Sequence, residues 1–238
     1  MKFSVHENVI AMFPNLTIGV LVGVIEKEKD DISKVIGQLK ENSLSHLLSK
    51  NIDTAKLMEI PNISGWRETY KKFGAKPKKH KPTHEAMVRR IIKESKWPHT
   101  INNIVDIYLT NEIEHILPHG GYDLNQINGD LDLEVSTGGE DFVDLKGELE
   151  KTEDGEIVYK DKQRVLTRRW NYKDCKETMI TEKTKSFILM VEAASEKIDF
   201  LTVNDSISSL KDKFENCYHG NFKITTLVVN EKNNSFVL

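Results

Sequence analysis

The chain has 238 residues, 38% hydrophobic and 30% charged, with a net charge of −3. That length buries a full core, and the composition suits a soluble globular protein. The longest apolar stretch, Ile18 to Ile25, is too short to span a bilayer, and the first seven residues carry no apolar core of a secretory signal. Cys175 and Cys217 are the only cysteines and sit in no C-x-x-C or Cys/His cluster, so a reduced cytoplasmic setting is expected.

Thr17 to Ile25 is β-branched and nearly all apolar, as in a strand buried on both faces, and Gly19 and Gly23 permit close backbone approach. Asp31 to Lys50 carries apolar residues at Ile32, Val35, Ile36, Leu39, Leu44, Leu47 and Leu48, a helical spacing. Trp66, Tyr70 and Phe73 form a core or supporting stripe on a short helix capped by Asn62 or Ser64. Gly74 to Pro82 breaks that helix and forms a basic loop stiffened by prolines. Thr83 is positioned to cap a helix from His84 to Lys96, with Met87, Val88, Ile91 and Ile92 on its apolar face.

Ile101 to Leu117 reads as a helix ended by Pro118, with Asn102 and Asn103 satisfying its first backbone groups. Pro118 to Asp123 reads as a tight turn where backbone can approach a ligand. Leu131, Leu133 and Val135 alternate as a strand, and Gly138-Gly139 and Asp154-Gly155 mark turns. Val165-Leu166 is a short β-prone stretch. Ser186 to Val191 and Phe222 to Val229 read as strands, with an amphipathic helix from Asp205 to Asn216 between them. The mixture predicts an α+β class: one compact domain over 1–238, with a large mixed β-sheet flanked by helices.

The charges are strongly patterned. Pro61 to Thr100 holds eleven Lys/Arg against three acids, a net of +8, whereas Ile101 to Lys160 holds three Lys against fifteen acids, a net of −12. The first block suits a polyanion, with Arg67, Lys76, Lys78, Lys79, Arg89 and Arg90 as candidate RNA-binding residues; a solvated helix face and loop is the bland alternative. Arg168-Arg169-Trp170-Asn171-Tyr172 combines guanidinium groups for phosphate, rings for stacking and an amide for polar edges. A Trp packed in the core between surface arginines is the competing reading.

Several chemistries are absent. No G-x-G-x-x-G follows a strand, and there is no phosphate-binding P-loop, H-E-x-x-H or G-x-S-x-G. His115 and His119 lie four apart, but Pro118 intervenes and no third ligand is evident. No metal or cofactor is expected. Catalysis, if present, would rest on polar groups and an ordered water.

Five pieces in order carry a family resemblance. They are Trp66-Arg67-x-x-Tyr70 with Gly74-x-Lys76-Pro77; Glu85-x-x-x-Arg89-Arg90; Pro98-x-x-Ile101-Asn102-Asn103-x-Val105-Asp106; Leu117-Pro118-x-Gly120-Gly121-Tyr122-Asp123; and Arg168 to Tyr172 followed by Glu177-Thr178-x-Ile180-Thr181-x-x-Thr184. With these, residues 60 to 195 resemble the B3/B4 domain of the bacterial phenylalanyl-tRNA synthetase β subunit, in a free-standing form. The resemblance implies an α+β fold on a large mixed sheet. It also implies an editing site that hydrolyses the ester between a wrong amino acid, chiefly tyrosine, and tRNA. The synthetase's catalytic core is missing, so ligase activity is not implied. The glutamate that reads the tyrosine hydroxyl in the embedded domains falls on or beside Lys176, with Glu177 next, and their turn histidine aligns with Gly120, with His119 one place earlier.

The implied activity is that of an aminoacyl-tRNA deacylase, a hydrolase acting in trans on the tRNA 3′ end. Asn171, Glu177 and His119 are its candidate catalytic residues. Gly120, Gly121, Arg168, Arg169, Lys176 and Thr178 are its candidate substrate contacts, and the substrate's own ribose hydroxyl helps activate water. A non-catalytic tRNA-binding module and an amino-acid-binding protein without ligase activity are the alternatives.

Overall fold

The structure is a computed structural model that describes residues 1–27 and 32–238. The first strand, β1 (Lys2–Val5), leads through a short helix α1 (Glu7–Met12) into β2 (Thr17–Ile25). Four helices follow: α2 (Ser33–Ser49), α3 (Pro61–Lys72), α4 (Thr83–Glu94) and α5 (Asn103–His115). The chain then runs through β3 (His119–Asp123), β4 (Leu131–Thr137), β5 (Asp141–Val143), β6 (Leu149–Lys151), β7 (Asp154–Lys160), β8 (Val165–Arg168), β9 (Lys173–Asp174) and β10 (Ser186–Ala193). It ends with α6 (Phe200–Tyr218), β11 (Phe222–Asn230) and β12 (Ser235–Val237). The expected α+β class with a large mixed sheet is observed.

The larger sheet has the order β12-β1-β4-β7-β8-β9 and is mixed, because β1 pairs parallel to β4 and every other pair is antiparallel. The second sheet, β11-β2-β10-β3, is antiparallel. One face of the second sheet carries α6. There Gly19 lets the helix sit on the strand, since a Cβ at that position would lie 3.0 Å from Val203 Cγ1. Helix α5 packs against α6 and α2. The other face meets the larger sheet: Tyr122 of β3 bonds Thr167 of β8 at 2.5 Å, and Tyr159 of β7 donates to Glu192 of β10. The apolar strand residues read from the sequence, from Ile18 to Leu21 and Phe187 to Val191, fill this core.

Some local expectations change. Pro118 to Asp123 is not a tight turn: from His119 the chain is a strand, paired residue for residue with β10. Gly121 is needed there for packing, because a Cβ would lie 2.3 Å from the Ile188 carbonyl oxygen. Asp154-Gly155 opens β7 instead of turning. Helix α3 begins at Pro61 behind Ile60 with no side-chain cap, and Asn62 instead donates to the His115 carbonyl at 2.9 Å. Thr83 starts α4 behind Pro82 without capping it. Asn102 does cap α5, accepting from the Val105 amide at 3.0 Å. Asp31, the expected start of the second helix, lies outside the described residues.

Candidate functional site

The Arg168 to Tyr172 run turns inward. Arg169 and Trp170 both hold left-handed backbone, φ +48° and +69°, an arrangement that non-glycine residues adopt at a cost. The Trp170 amide bonds the Ile157 carbonyl at 2.7 Å, and its ring is fully buried edge-on to Trp66 and Phe13. Arg168 grips Glu156 bidentately at 2.8 and 2.9 Å and reaches Glu150 at 2.8 Å; it is 3% exposed. Arg169, also buried, donates to Glu153 at 2.8 Å. The arginines expected to hold phosphate are therefore paired with three carboxylates of the acidic block: Glu156, which is buried, and Glu150 and Glu153, which are more exposed.

Below them, Glu192 is the polar node of the interior. Its carboxylate accepts from Trp170 Nε1 at 2.9 Å, from Asn171 Nδ2 at 3.0 Å and from the Tyr159 hydroxyl, while Asn171 Oδ1 accepts from Tyr70 at 2.7 Å. Burial pushes its carboxyl up to about 7, against the pull of those three donors. A second chain runs from Tyr122 through the Thr167 hydroxyl to Asp174, at 2.5 and 2.6 Å. Desolvation raises Asp174 as well.

Both chains open on a cavity of about 70 Å³ between α4, α5 and the facing sheets. Gly120, His119, Asn171, Tyr172, Asp174 and Glu192 line it, together with Thr83, Tyr108 and Glu112. Glu112 is fully buried, and neither oxygen makes a well-formed hydrogen bond; burial pushes its carboxyl well up, against the weaker pull of the Thr83 side chain. The sequence-predicted Gly120, His119 and Asn171 are thus brought together.

His119 is not a solvated turn residue. Its Nδ1 donates to the Leu117 carbonyl at 2.8 Å and its Nε2 accepts from Asn111 at 2.9 Å. Burial drives the ring down to about 3, so it is neutral and its one lone pair is engaged. It is therefore removed as a general base. Lys176 and Glu177 are exposed, and Glu177 lines a separate groove with Glu140 and Lys160. Thr178 is buried, its carbonyl accepting from the Asp123 amide at 3.0 Å. These three lie away from the cavity, because β9 ends at Asp174 and the chain then leaves along Val143 and Asp144. Gly121 is committed to β10.

The basic segment divides in two. Arg67 and Arg89 point at the buried Glu85, at 3.4 and 3.1 Å, which makes them structural. Lys76, Lys78, Lys79 and Arg90 are exposed. The loop bearing the lysines is anchored beside the cavity: the His80 ring meets Tyr172 edge-on at 4.8 Å, and Thr83 follows in the cavity wall.

Sequence reading missed Glu112, Asp174 and Glu192 as site residues. A signal existed for two of them. Glu192 is the one charge in the strand Ser186–Ala193, and Glu112 is a charge flanked by Asn111 and Ile113 on a helix that is buried nearly all round. Asp144, Glu148 and Glu150 have oxygens within 4.8 Å of one another, and Lys173 already pairs with Asp144 and Glu150 at 2.8 and 2.6 Å, with Arg168 on Glu150 as well. Among the described residues no helix is long and apolar enough to cross a membrane.

No curated protein matches the chain. Among solved structures it is similar to an N-terminal fragment of the phenylalanyl-tRNA synthetase β-subunit from Pyrococcus horikoshii, at 12% identity and a TM-score of 0.44. That match covers 96% of this chain and 54% of the fragment, so the chain spans about half the fragment's length. The B3/4 domain profile matches residues 65–208, well over half of the sequence and all the elements that build the cavity. The chain belongs to the B3/4 domain family.

Proposed function

We propose that this protein is an RNA-associated B3/4 domain that binds the aminoacylated 3′ end of a tRNA and hydrolyses its ester in trans. The observation that carries this reading is the juncture of the Lys76, Lys78 and Lys79 loop with the polar cavity, made by His80 on Tyr172. A phosphate backbone held by the loop presents its end to the cavity mouth.

Inside, Asn171 keeps its expected role, and Glu192 takes the one first given to His119 and Glu177. Glu192 Oε1 is filled by two donors, whereas Oε2 holds only Asn171. One lone pair at Oε2 is left to take a proton from water. A carboxyl near 7 matches a base working at neutral pH. Asn171 holds that carboxylate in place, and the substrate's ribose hydroxyl supplies further help in orienting the water. Arg168, Arg169, Lys176 and Thr178 have no contact with substrate in this scheme.

Incubating the purified protein with a panel of mischarged tRNAs tests the proposal. Loss of ester faster than in buffer, abolished by Glu192→Gln, is the expected result. Tight tRNA binding with no ester loss for any pair overturns the hydrolysis and leaves a tRNA-binding module.

A further inference from the structure

Strand β11 closes one side of the second sheet, and among the described residues its outer edge has no strand beside it. The Glu26 amide bonds the Asn221 carbonyl at 3.0 Å, whereas the Ile25 amide turns to the Lys185 carbonyl on the β10 side, at 2.8 Å. Bonding alternates along an antiparallel pair, so Lys223, Thr225, Leu227 and Val229 spend their backbone groups on β2. The N–H and C=O groups of Phe222, Ile224, Thr226 and Val228 point the other way, and no described residue bonds them. Natural sheets blunt such an edge with proline, a bulge, a short strand or several charges. Here the strand is nine residues long, its register with β2 is unbroken, and it holds no proline and one charge, Lys223. An edge left in this state is a template for another strand.

The residues of the edge say which strand that is. A two-fold axis at Thr226 lays β11 antiparallel on a second copy of itself over its full length. Thr226 then faces Thr226 of the second copy, Ile224 faces Val228, and Thr225 faces Leu227. The outward N–H and C=O groups meet each other in this register, and β-branched residues are opposed, a favourable cross-strand pairing. Charge selects the direction. Lys223 and Glu231 are the only charged residues from Phe222 to Glu231; they stand at opposite ends and both are exposed. Antiparallel pairing puts Lys223 opposite Val229 of the second copy and diagonal to its Glu231, and symmetry repeats the contact at the other end. Parallel pairing would set Lys223 on Lys223 and Glu231 on Glu231.

We propose that the β11 edge is a homodimer interface, in which two copies of the chain pair edge to edge about an axis at Thr226 and join their four-stranded sheets into one continuous sheet. The cavity is lined by Gly120 of β3, at the opposite side of the same sheet. That is three strand spacings, or about 14 Å, from β11, so the dimer leaves the cavity open. The interface stands on the edge alone and is independent of what the cavity does.

Sedimentation equilibrium of the full chain over a concentration series reads the association. A monomer–dimer equilibrium is expected, because a nine-residue edge makes a small interface. Thr226→Lys sets two like charges on the axis at an exposed position. It is expected to weaken the dimer at least tenfold and to leave the circular dichroism spectrum and Tm as in the wild type. Mild oxidation of cysteine variants reads the register, since the native Cys175 and Cys217 are buried. Cα atoms of a bonded pair lie about 5.5 Å apart, within reach of a disulfide. Thr226→Cys is expected to cross-link at least tenfold faster than Lys223→Cys, whose two copies lie about 20 Å apart along the strands. A chain that stays monomeric up to its solubility limit overturns the proposal. So does a dimer that Thr226→Lys leaves intact, or equal cross-linking of the two cysteine variants. The wild-type mass and the cross-linking rates decide even if the lysine variant fails to fold.

Discussion

Trp170 Nε1 donates to Glu192 Oε1 at 2.9 Å across the interface of the two sheets. The residue that looks most like a base-stacking platform is thereby a structural donor, fully buried against Trp66 and Phe13. Trp170→Phe keeps the ring packing and removes one donor from a buried carboxylate. Urea unfolding is expected to show a loss of about 1–3 kcal/mol. tRNA affinity of the folded variant is expected to stay unchanged in a filter-binding assay.

The pH dependence of stability follows from Glu192 with a definite sign. Its carboxyl is raised in the folded state to about 7 from an ordinary value near 4.5. The folded state therefore holds the proton more tightly, and the associated stability is present at low pH and lost as pH rises through 7. His119 and His84, both driven down to about 3 by burial, act oppositely and lose stability as pH falls below their ordinary 6.5. Comparing wild type with Glu192→Gln isolates the first effect. The difference in unfolding free energy is expected to shift by about 2 kcal/mol between pH 5.5 and 8, in favour of the wild type at the lower pH. A difference flat across that range removes Glu192 as the raised group.

Lys76, Lys78 and Lys79 are exposed, whereas Arg67 and Arg89 are tied to Glu85. Replacing the three lysines with glutamine is expected to weaken tRNA binding and to reduce the slope of log affinity against log salt by about 2 to 3. Thermal stability should move little. Arg89→Gln is expected to behave in the opposite manner, with its main effect on the melting temperature.

Arg168→Ala leaves Glu156 buried without its bidentate partner. A loss of about 3–5 kcal/mol, enough to unfold much of the protein, is expected in chemical denaturation. Near-wild-type stability with a selective loss of RNA binding would return Arg168 to the substrate.

The two glycines of β3 separate packing from ligand access. Gly121→Ala drives a Cβ to 2.3 Å from the Ile188 carbonyl oxygen and is expected to destabilise by about 1–3 kcal/mol. Gly120→Ala meets no atom, so it is expected to keep stability and to lower ester hydrolysis by crowding the cavity mouth. Measuring both readouts on both variants distinguishes the roles.

What the amino-acid order determined by itself was everything set by local periodicity. The β-branched run of β2 matches the observed strand end for end at Thr17–Ile25, β10 and β11 begin where they were placed, and α6 contains the expected Asp205 to Asn216 but starts earlier, at Phe200. The ordered motifs carried the family, and Gly120 and Asn171 marked the cavity. Only the tertiary structure decided which charges are spent. Arg168 and Arg169 read as phosphate ligands until Glu150, Glu153 and Glu156, twelve to eighteen residues earlier, fold onto them. His119 reads as a base until Asn111 fills its lone pair. Pairing across strands depends on three-dimensional proximity, which spacing along the chain does not encode. For the same reason, the carboxyls of Glu112, Asp174 and Glu192 line one cavity only once three separate elements close around it.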